Sequence, residues 1–307
     1  MAGFTASTLI TSIRRRASIP STSASGSADS DLLAIATEEI QLHLTADLLK
    51  VREEYFARDQ DTTIGSSTSF RVPKRAIGGK LRYVQLLDSD GDVIATLTRL
   101  EPERLEDFDS TVSVFGFYLK GNHVHLVGET SNATSIRLGY FVRPSALTNT
   151  AAEYKAITVV AGNVVTAAAH GFSTTSVLDI VKGTPGFEHA LIDTSPSATD
   201  TNTITFGSGT GLTGLGVEVG DYVCTAEKSF VPQIPAEFHP ILAQRVAVKY
   251  LEAEGDRDGL QLAQAKLGEM EKAAGLLVTP RVDGAPQKIV NRYSFVGGAG
   301  RWRRFFG

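Results

Sequence analysis

Sulfur is scarce in this chain. Its 307 residues include one cysteine, Cys224, and two methionines. A single cysteine excludes an intrachain disulfide and a zinc site built from several cysteines. A chain of this length buries about 75% of its unfolded surface, so its folding needs neither cross-link. The apolar strand pattern around Cys224 predicts a buried thiol that behaves as a small hydrophobe.

Long apolar runs are also missing. No stretch of eighteen apolar residues occurs, which excludes a transmembrane helix. Near the N terminus, the apolar residues 8–10 precede the arginines 14–16, whereas a secretory signal has the reverse order. We therefore expect a soluble intracellular protein with no membrane partner.

Signatures of catalysis are few. The sequence has no G-x-S-x-G, no G-x-x-x-x-G-K-[ST] and no H-E-x-x-H motif. Residues 209–214 match G-x-G-x-x-G, but residues 215–223 predict a strand where a dinucleotide site needs a helix. We predict that the protein is not an enzyme and that it holds no cofactor.

Two short patterns contain possible metal ligands. Residues 88–92 (DSDGD) resemble the start of a calcium loop, but the later glutamate and the flanking helices are missing. A polar hairpin turn is the favoured interpretation. His123 and His125 share one face of a predicted strand, but zinc needs at least three protein ligands and no third is identifiable nearby. No metal site is predicted.

Charge is distributed unevenly along the chain. Residues 1–20 carry three arginines and no acid, and residues 280–307 carry six basic residues and one acid. The remaining residues carry 21 basic and 33 acidic side chains, a net charge of −12. The C-terminal segment also holds Trp302, the only tryptophan, and arginine and aromatic residues are enriched at interface hot spots. We expect 280–307 to dock on a partner.

Helical periodicity occurs near both chain ends. Residues 4–18 fit a short helix, and apolar residues at three- and four-residue spacing predict a longer helix over 30–52. A third helix is predicted over 236–254, where Gly255 supplies the stop, and a last helix runs up to Pro280. The short turn between the last two predicts an antiparallel pair.

The middle of the chain has strand signals. Residues 55–143 predict a meander of antiparallel strands, with hairpin turns at 88–91 and 121–122. Residues 144–234 contain short, evenly spaced strands rich in Thr, Val, Gly and Ser, which predict a small inserted barrel or sandwich.

The predicted fold class is α+β: a helical bundle formed by both chain ends, with inserted antiparallel β modules and an extended C-terminal arm. The predicted divisions are 1–54 (helical part of the bundle), 55–143 (antiparallel β segment), 144–234 (small β barrel or sandwich), 235–279 (helical hairpin that completes the bundle) and 280–307 (basic aromatic docking arm).

Several stretches together resemble the head–tail adaptor proteins (connector or head-completion proteins) of tailed bacteriophages. They are 8–20 (TLITSIRRRASIP), 31–56 (DLLAIATEEIQLHLTADLLKVREEYF), 70–88 (FRVPKRAIGGKLRYVQLLD), 231–272 (VPQIPAEF…GEMEK) and 280–292 (PRVDGAPQKIVNR). Residues 163–187 are similar to a small β module of phage structural proteins. In that module the Ala-His-Gly-Phe element is structural, which implies that His170 is not a catalyst.

The resemblance implies a homo-oligomeric ring, usually a dodecamer, beneath the portal protein at the head–tail junction of the virion. Such a ring receives a tail protein (nozzle, tube or tail terminator) and continues the DNA channel. An acidic body suits that channel because it repels phosphate, so that genomic DNA passes without specific binding. The resemblance also implies that the C-terminal arm docks on the portal. Its candidate docking residues are Arg281, Lys288, Arg292, Tyr293, Phe295, Arg301, Trp302, Arg303, Arg304, Phe305 and Phe306.

Two other functions remain open on the sequence. The first is a different phage tail structural or receptor-binding component, carried by the β modules; glycan binding by 144–234 would favour it. The second is a nucleic-acid-binding protein that uses the arginines 14–16 and the aromatic, basic end 301–306. Steeply salt-dependent DNA binding by the isolated protein would favour that alternative.

Overall fold

Helices lie near both ends of the chain and strands lie between them in the computed structural model. The structure describes residues 4–19, 28–51, 53–101, 116–128, 133–184, 186, 189–207 and 211–278. The predicted docking arm, 280–307, lies outside the described residues. No helix within the described residues is both long enough and apolar enough to span a bilayer.

The helical layer consists of five α-helices. They are α1 (Ala6–Arg16), α2 (Asp29–Glu38), α3 (Thr45–Val51), α4 (His239–Glu254) and α5 (Arg257–Val278). Thr5 starts α1 with a capping box, and Gly255 ends α4 in the left-handed region at φ 77°. A π-helical stretch, Glu39–Leu44, joins α2 to α3 without a break.

The strands form five sheets. They are β1 (Ala57–Thr63), β2 (Ser69–Arg71), β3 (Ala76–Leu87), β4 (Val93–Thr96), β5 (Thr98–Arg99), β6 (Gly116–Lys120), β7 (His123–Val127), β8 (Ser135–Val142), β9 (Ala146–Leu147), β10 (Tyr154–Ala156), β11 (Val159–Ala161), β12 (Val164–Thr166), β13 (Leu178–Val181), β14 (His189–Thr194), β15 (Ala198–Thr199), β16 (Thr203–Thr205), β17 (Tyr222–Thr225) and β18 (Lys228–Ser229). The sheet orders are β1-β8-β3-β4, β2-β7-β6-β5, β10-β17-β13-β14, β11-β12-β16-β15 and β9-β18.

Three apolar cores hold these layers. The first lies among the five helices and combines residues from both chain ends, such as Ile13, Leu48 and Val246. The second lies between the two sheets built from β1 to β8. The third lies between the two four-stranded sheets of the segment 154–225, which we call the β module.

The predicted fold class, a helical bundle formed by both chain ends with β modules as insertions, is wrong. The described residues form eighteen strands in five sheets, so the fold is mainly β. Two of the three cores also lie between sheets. The error has a physical cause: a long helix repeats its apolar stripe over several turns, whereas a strand of two to four residues shows only one or two alternations. Sequence patterns therefore gave the helices too much weight.

Individual elements were predicted better than the fold class. The helices expected over 4–18, 30–52 and 236–254 are confirmed within a few residues at each end. The expected hairpins are also confirmed, because β3 pairs with β4 and β6 pairs with β7, both antiparallel. The π-helical stretch was not predicted.

Candidate interaction sites

A buried polar junction connects the β module to the other layers. Arg75 precedes β3, Asp179 lies in β13, and Ser145 and Gln233 lie on the segments that enter and leave the module. Arg75 donates from Nη1 to Asp179 Oδ2 at 2.5 Å and from Nη2 to the Ser145 hydroxyl. The Ser145 amide donates to Gln233 Oε1 at 2.7 Å. All four residues are buried, so one hydrogen-bonded path crosses three parts of the chain.

Asp179 is the centre of that junction. Besides Arg75, its carboxylate accepts the backbone N–H of Asp193 at 2.9 Å and that of Glu227 at 3.1 Å. Burial raises the pKa of Asp179, and the adjacent Arg75 and the hydrogen bonds oppose that rise. A buried ion pair of this kind fixes the relative placement of elements more than it adds net stability.

A second charged cluster lies across the helical layer. Glu39, the first residue of the π-helical stretch, is buried, and its carboxylate lies 2.6 Å from Lys249 Nζ. Arg245 reaches Glu39 at 3.7 Å, Asp47 at 3.3 Å and Glu271 at 2.6 Å. Arg245 thus connects α2, α3, α4 and α5, and π-helical turns of this type often occur where a side chain has a special position.

A cleft of about 450 Å³ lies between two sheets. One wall is β1, through residues 58–61, and another is the turn 71–75. Ile192 and Asp193 of β14 form the opposite wall. The cleft carries both signs of charge, because Arg58, Asp59, Asp61, Arg71, Lys74 and Asp193 all line it.

A groove of about 550 Å³ lies at the end of α1, beside the turn between α4 and α5. Arg15, Arg16 and Lys266 line it. Arg16 donates to Gln244 Oε1 at 2.8 Å, and burial lowers its pKa, with Arg15 adding to the effect. Leu262 borders the groove and is 75% exposed.

The sequence patterns that suggested metal ligands have local structural roles. Asp88 Oδ1 accepts the backbone N–H groups of Asp90 at 3.0 Å and Asp92 at 2.8 Å, which confirms the polar hairpin turn. The His125 ring stacks on Tyr118 at 4.9 Å, and its centroid lies 6.4 Å from that of His123. Across the described ranges, no three His, Cys, Asp or Glu side chains are grouped to hold a metal ion.

The other candidate chemical groups are held in the interior. Cys224 is fully buried, as predicted, and burial raises its pKa to about 12, which keeps it a thiol. His170 accepts the Phe172 N–H at Nδ1 (3.0 Å) and therefore donates from Nε2 to the Thr203 carbonyl (3.2 Å). The described part of the glycine pattern, 211–214, leads into turns rather than a helix.

The predicted docking arm begins just beyond α5. Because α5 runs antiparallel to α4, its C-terminal end lies beside the 3₁₀ turn Ala236–Phe238 that precedes α4. All eleven docking residues predicted from the sequence belong to 280–307 and lie outside the described residues. Of the arm, the structure therefore gives the point of departure from the body.

Sequence reasoning missed the junction and misread one residue of the helical cluster. Arg75 and Asp179 are 104 positions apart, and no spacing pattern connects them. Arg245 did give a signal, since an arginine on the apolar stripe of a helix needs acidic partners. No protein-family model matches the chain, and no curated protein sequence matches it either.

Proposed function

We propose that the protein is a structural head-to-tail adaptor of a tailed bacteriophage. In this proposal it forms a homo-oligomeric ring, a dodecamer, under the portal, connects the capsid vertex to a tail protein, and continues the DNA channel at the head–tail junction of the virion. It acts as an assembly component and not as an enzyme. The resemblance of residues 8–20, 31–56, 70–88, 231–272 and 280–292 to this family is the first support.

The observation that carries the proposal is the origin of a basic, aromatic arm on a braced helical layer. Helices from both chain ends share one core, and Arg245 and Lys249 tie them together with buried and half-buried ion pairs. The arm, with six basic residues and one acid, leaves this layer at the end of α5, while the remaining body is acidic. A rigid base and an oppositely charged arm suit docking of one subunit into a neighbouring protein.

The first test measures the mass of the purified chain with and without a cognate portal, by native mass spectrometry. We expect a complex of ring stoichiometry with the portal. A chain lacking 280–307 is expected to fold but to lose portal binding. Normal portal binding by this truncated chain would contradict the proposal and would direct attention to glycan and DNA binding.

Point variants sharpen that test. Trp302→Ala is expected to weaken portal binding about 30-fold, the effect of removing one aromatic hot spot of about 2 kcal/mol. Arg15→Gln is the matched control, because it removes an exposed positive charge from the helical layer and leaves the arm intact. Equal losses from the two variants would mean that net charge, and not the arm, drives the association.

A further inference from the structure

Two sheet edges face the same cleft. Among the described strands, β1 is the outer strand of one sheet and β14 is the outer strand of another. Consecutive side chains of a strand point to opposite faces of its sheet. Since all four residues of 58–61 line the cleft, the cleft lies along the edge of β1 and not over one face. Here an added strand would find a backbone partner.

Backbone geometry shows which groups of β1 face this edge. The Ile64 N–H donates to the Thr134 carbonyl at 2.9 Å, in register with the pairing of β1 and β8. N–H and C=O directions alternate along an antiparallel strand, so Gln60 also points toward β8. Asp59 and Asp61 therefore direct their N–H and C=O groups into the cleft. The pairing with β8 has no bulge, which leaves a straight edge of seven residues.

The chain itself contains a segment with the right chemistry for this edge. Residues 287–296 (QKIVNRYSFV) lack glycine and proline, are rich in β-branched and aromatic residues, and lie between Pro286 and Gly297. This pattern is typical of a β-strand. Lys288 and Arg292 supply two positive charges, and the cleft offers the exposed carboxylates of Asp59 and Asp193.

The position of the last described residues brings this segment within reach. The end of α5 lies beside Ala236–Phe238, and Gln233, just upstream, contacts Ser145. Ser145 in turn contacts Arg75, which lines the cleft. The eight residues 279–286 span up to about 28 Å when extended. A tether of this length gives the segment a millimolar effective concentration at its own cleft.

We propose that residues 287–296 pair with the free edge of β1 in the same chain, as an added strand in the cleft between β1 and β14. The backbone groups of Asp59 and Asp61 hold the strand, and β14 closes the other side. This inference concerns the protein without a portal and does not depend on the proposed function. Residues 301–306 lie beyond the paired stretch, whereas portal docking by 288–295 first requires release from the cleft.

Amide hydrogen exchange at single-residue resolution tests the pairing. In the full chain, we expect protected amides at Asp59 and Asp61. Truncation after Pro286 is expected to accelerate their exchange at least about tenfold, while Gln60, which is bonded to β8, keeps its rate. Truncation after Gly300 is the matched control, because it removes the aromatic basic end but keeps 287–296. It is expected to leave Asp59 and Asp61 protected.

A full-length variant guards against effects of truncation. Ile289→Pro combined with Val290→Pro removes pairing N–H groups in either register and is expected to reproduce the loss of protection. Equal exchange of Asp59 and Asp61 in the full chain and in the chain truncated after Pro286 would overturn the proposal. Protection that disappears on tenfold dilution would also overturn it, because the strand would then come from another copy.

Discussion

The helical layer and the β module close their cores in different ways. The helical core joins Ala6, near the start of the chain, to Leu251 and Ala274, near the end of the described residues. The core of the β module draws its buried residues from 157–223 alone. The helical layer therefore depends on contacts between distant segments, whereas the module contains its own apolar interior. The Arg75–Asp179 junction is the polar connection between the module and the rest.

Breaking the junction tests this comparison with the largest expected effect. Arg75→Met leaves the buried Asp179 without its guanidinium partner, and we expect the free energy of unfolding to fall by about 3–5 kcal/mol. Combining Arg75→Met with Asp179→Leu is expected to restore much of that loss, because no buried charge remains. Denaturant unfolding of the single and double variants measures both. A loss below about 1 kcal/mol in Arg75→Met would show that the junction is not a structural connection.

Acid is expected to weaken the helical layer through His239. This buried side chain begins α4, hydrogen-bonds the Ile234 carbonyl at 3.1 Å and packs on the Phe4 ring. Burial lowers its pKa from 6.5 to about 4. The unfolded chain therefore takes up the proton first, so this stabilisation is complete above pH 6.5 and declines as the pH falls to about 4. The expected loss is about 3 kcal/mol.

The variant His239→Gln isolates this effect, because its amide still donates to Ile234 but does not titrate. We expect the difference in unfolding free energy between the natural chain and the variant to decrease by about 3 kcal/mol from pH 7.5 to pH 4. A difference that stays constant over this range would contradict the assignment. Exchange of amides inside the β module provides the comparison, since protonation of His239 is not expected to act there first.

The smallest effect concerns ion pairs at the surface of the two regions. Lys249→Gln removes the 2.6 Å contact with the buried Glu39 of the helical layer, and we expect a loss of about 0.5–1 kcal/mol. Lys228→Gln is the matched change beside the module, where the contact with Glu153 is 3.8 Å and both side chains are about one-third exposed. Its expected cost is close to zero. Equal costs in denaturant unfolding would remove this distinction between the regions.

Local signals explain why the individual elements were predictable. The helix over Asp29–Val51 shows an apolar stripe of Leu, Ala and Ile that can be read without tertiary information. Gly255 ended α4 as predicted, because a left-handed residue after a helix favours glycine. The turn at 88–92 was predictable for a similar reason: its hydrogen bonds form between residues two and four positions apart.

The candidate sites were much less predictable than the elements. Ion pairs such as Arg75–Asp179 and Arg245–Glu39 join residues more than one hundred positions apart. The edge of β1 became a candidate site only when the sheet order showed which strands lie outermost. The arm was found by composition alone, because a concentration of arginine and aromatic residues is visible in any conformation.

The sequence by itself determined the helices, the hairpins, the buried thiol of Cys224 and the contrast between an acidic body and a basic arm. Each of these depends on residues close together in the chain or on composition. Only the tertiary structure decided the fold class, the buried junction, the π-helical placement of Glu39 and the cleft along β1. These features arise from contacts between distant segments, and no local pattern of residues records which segments will meet.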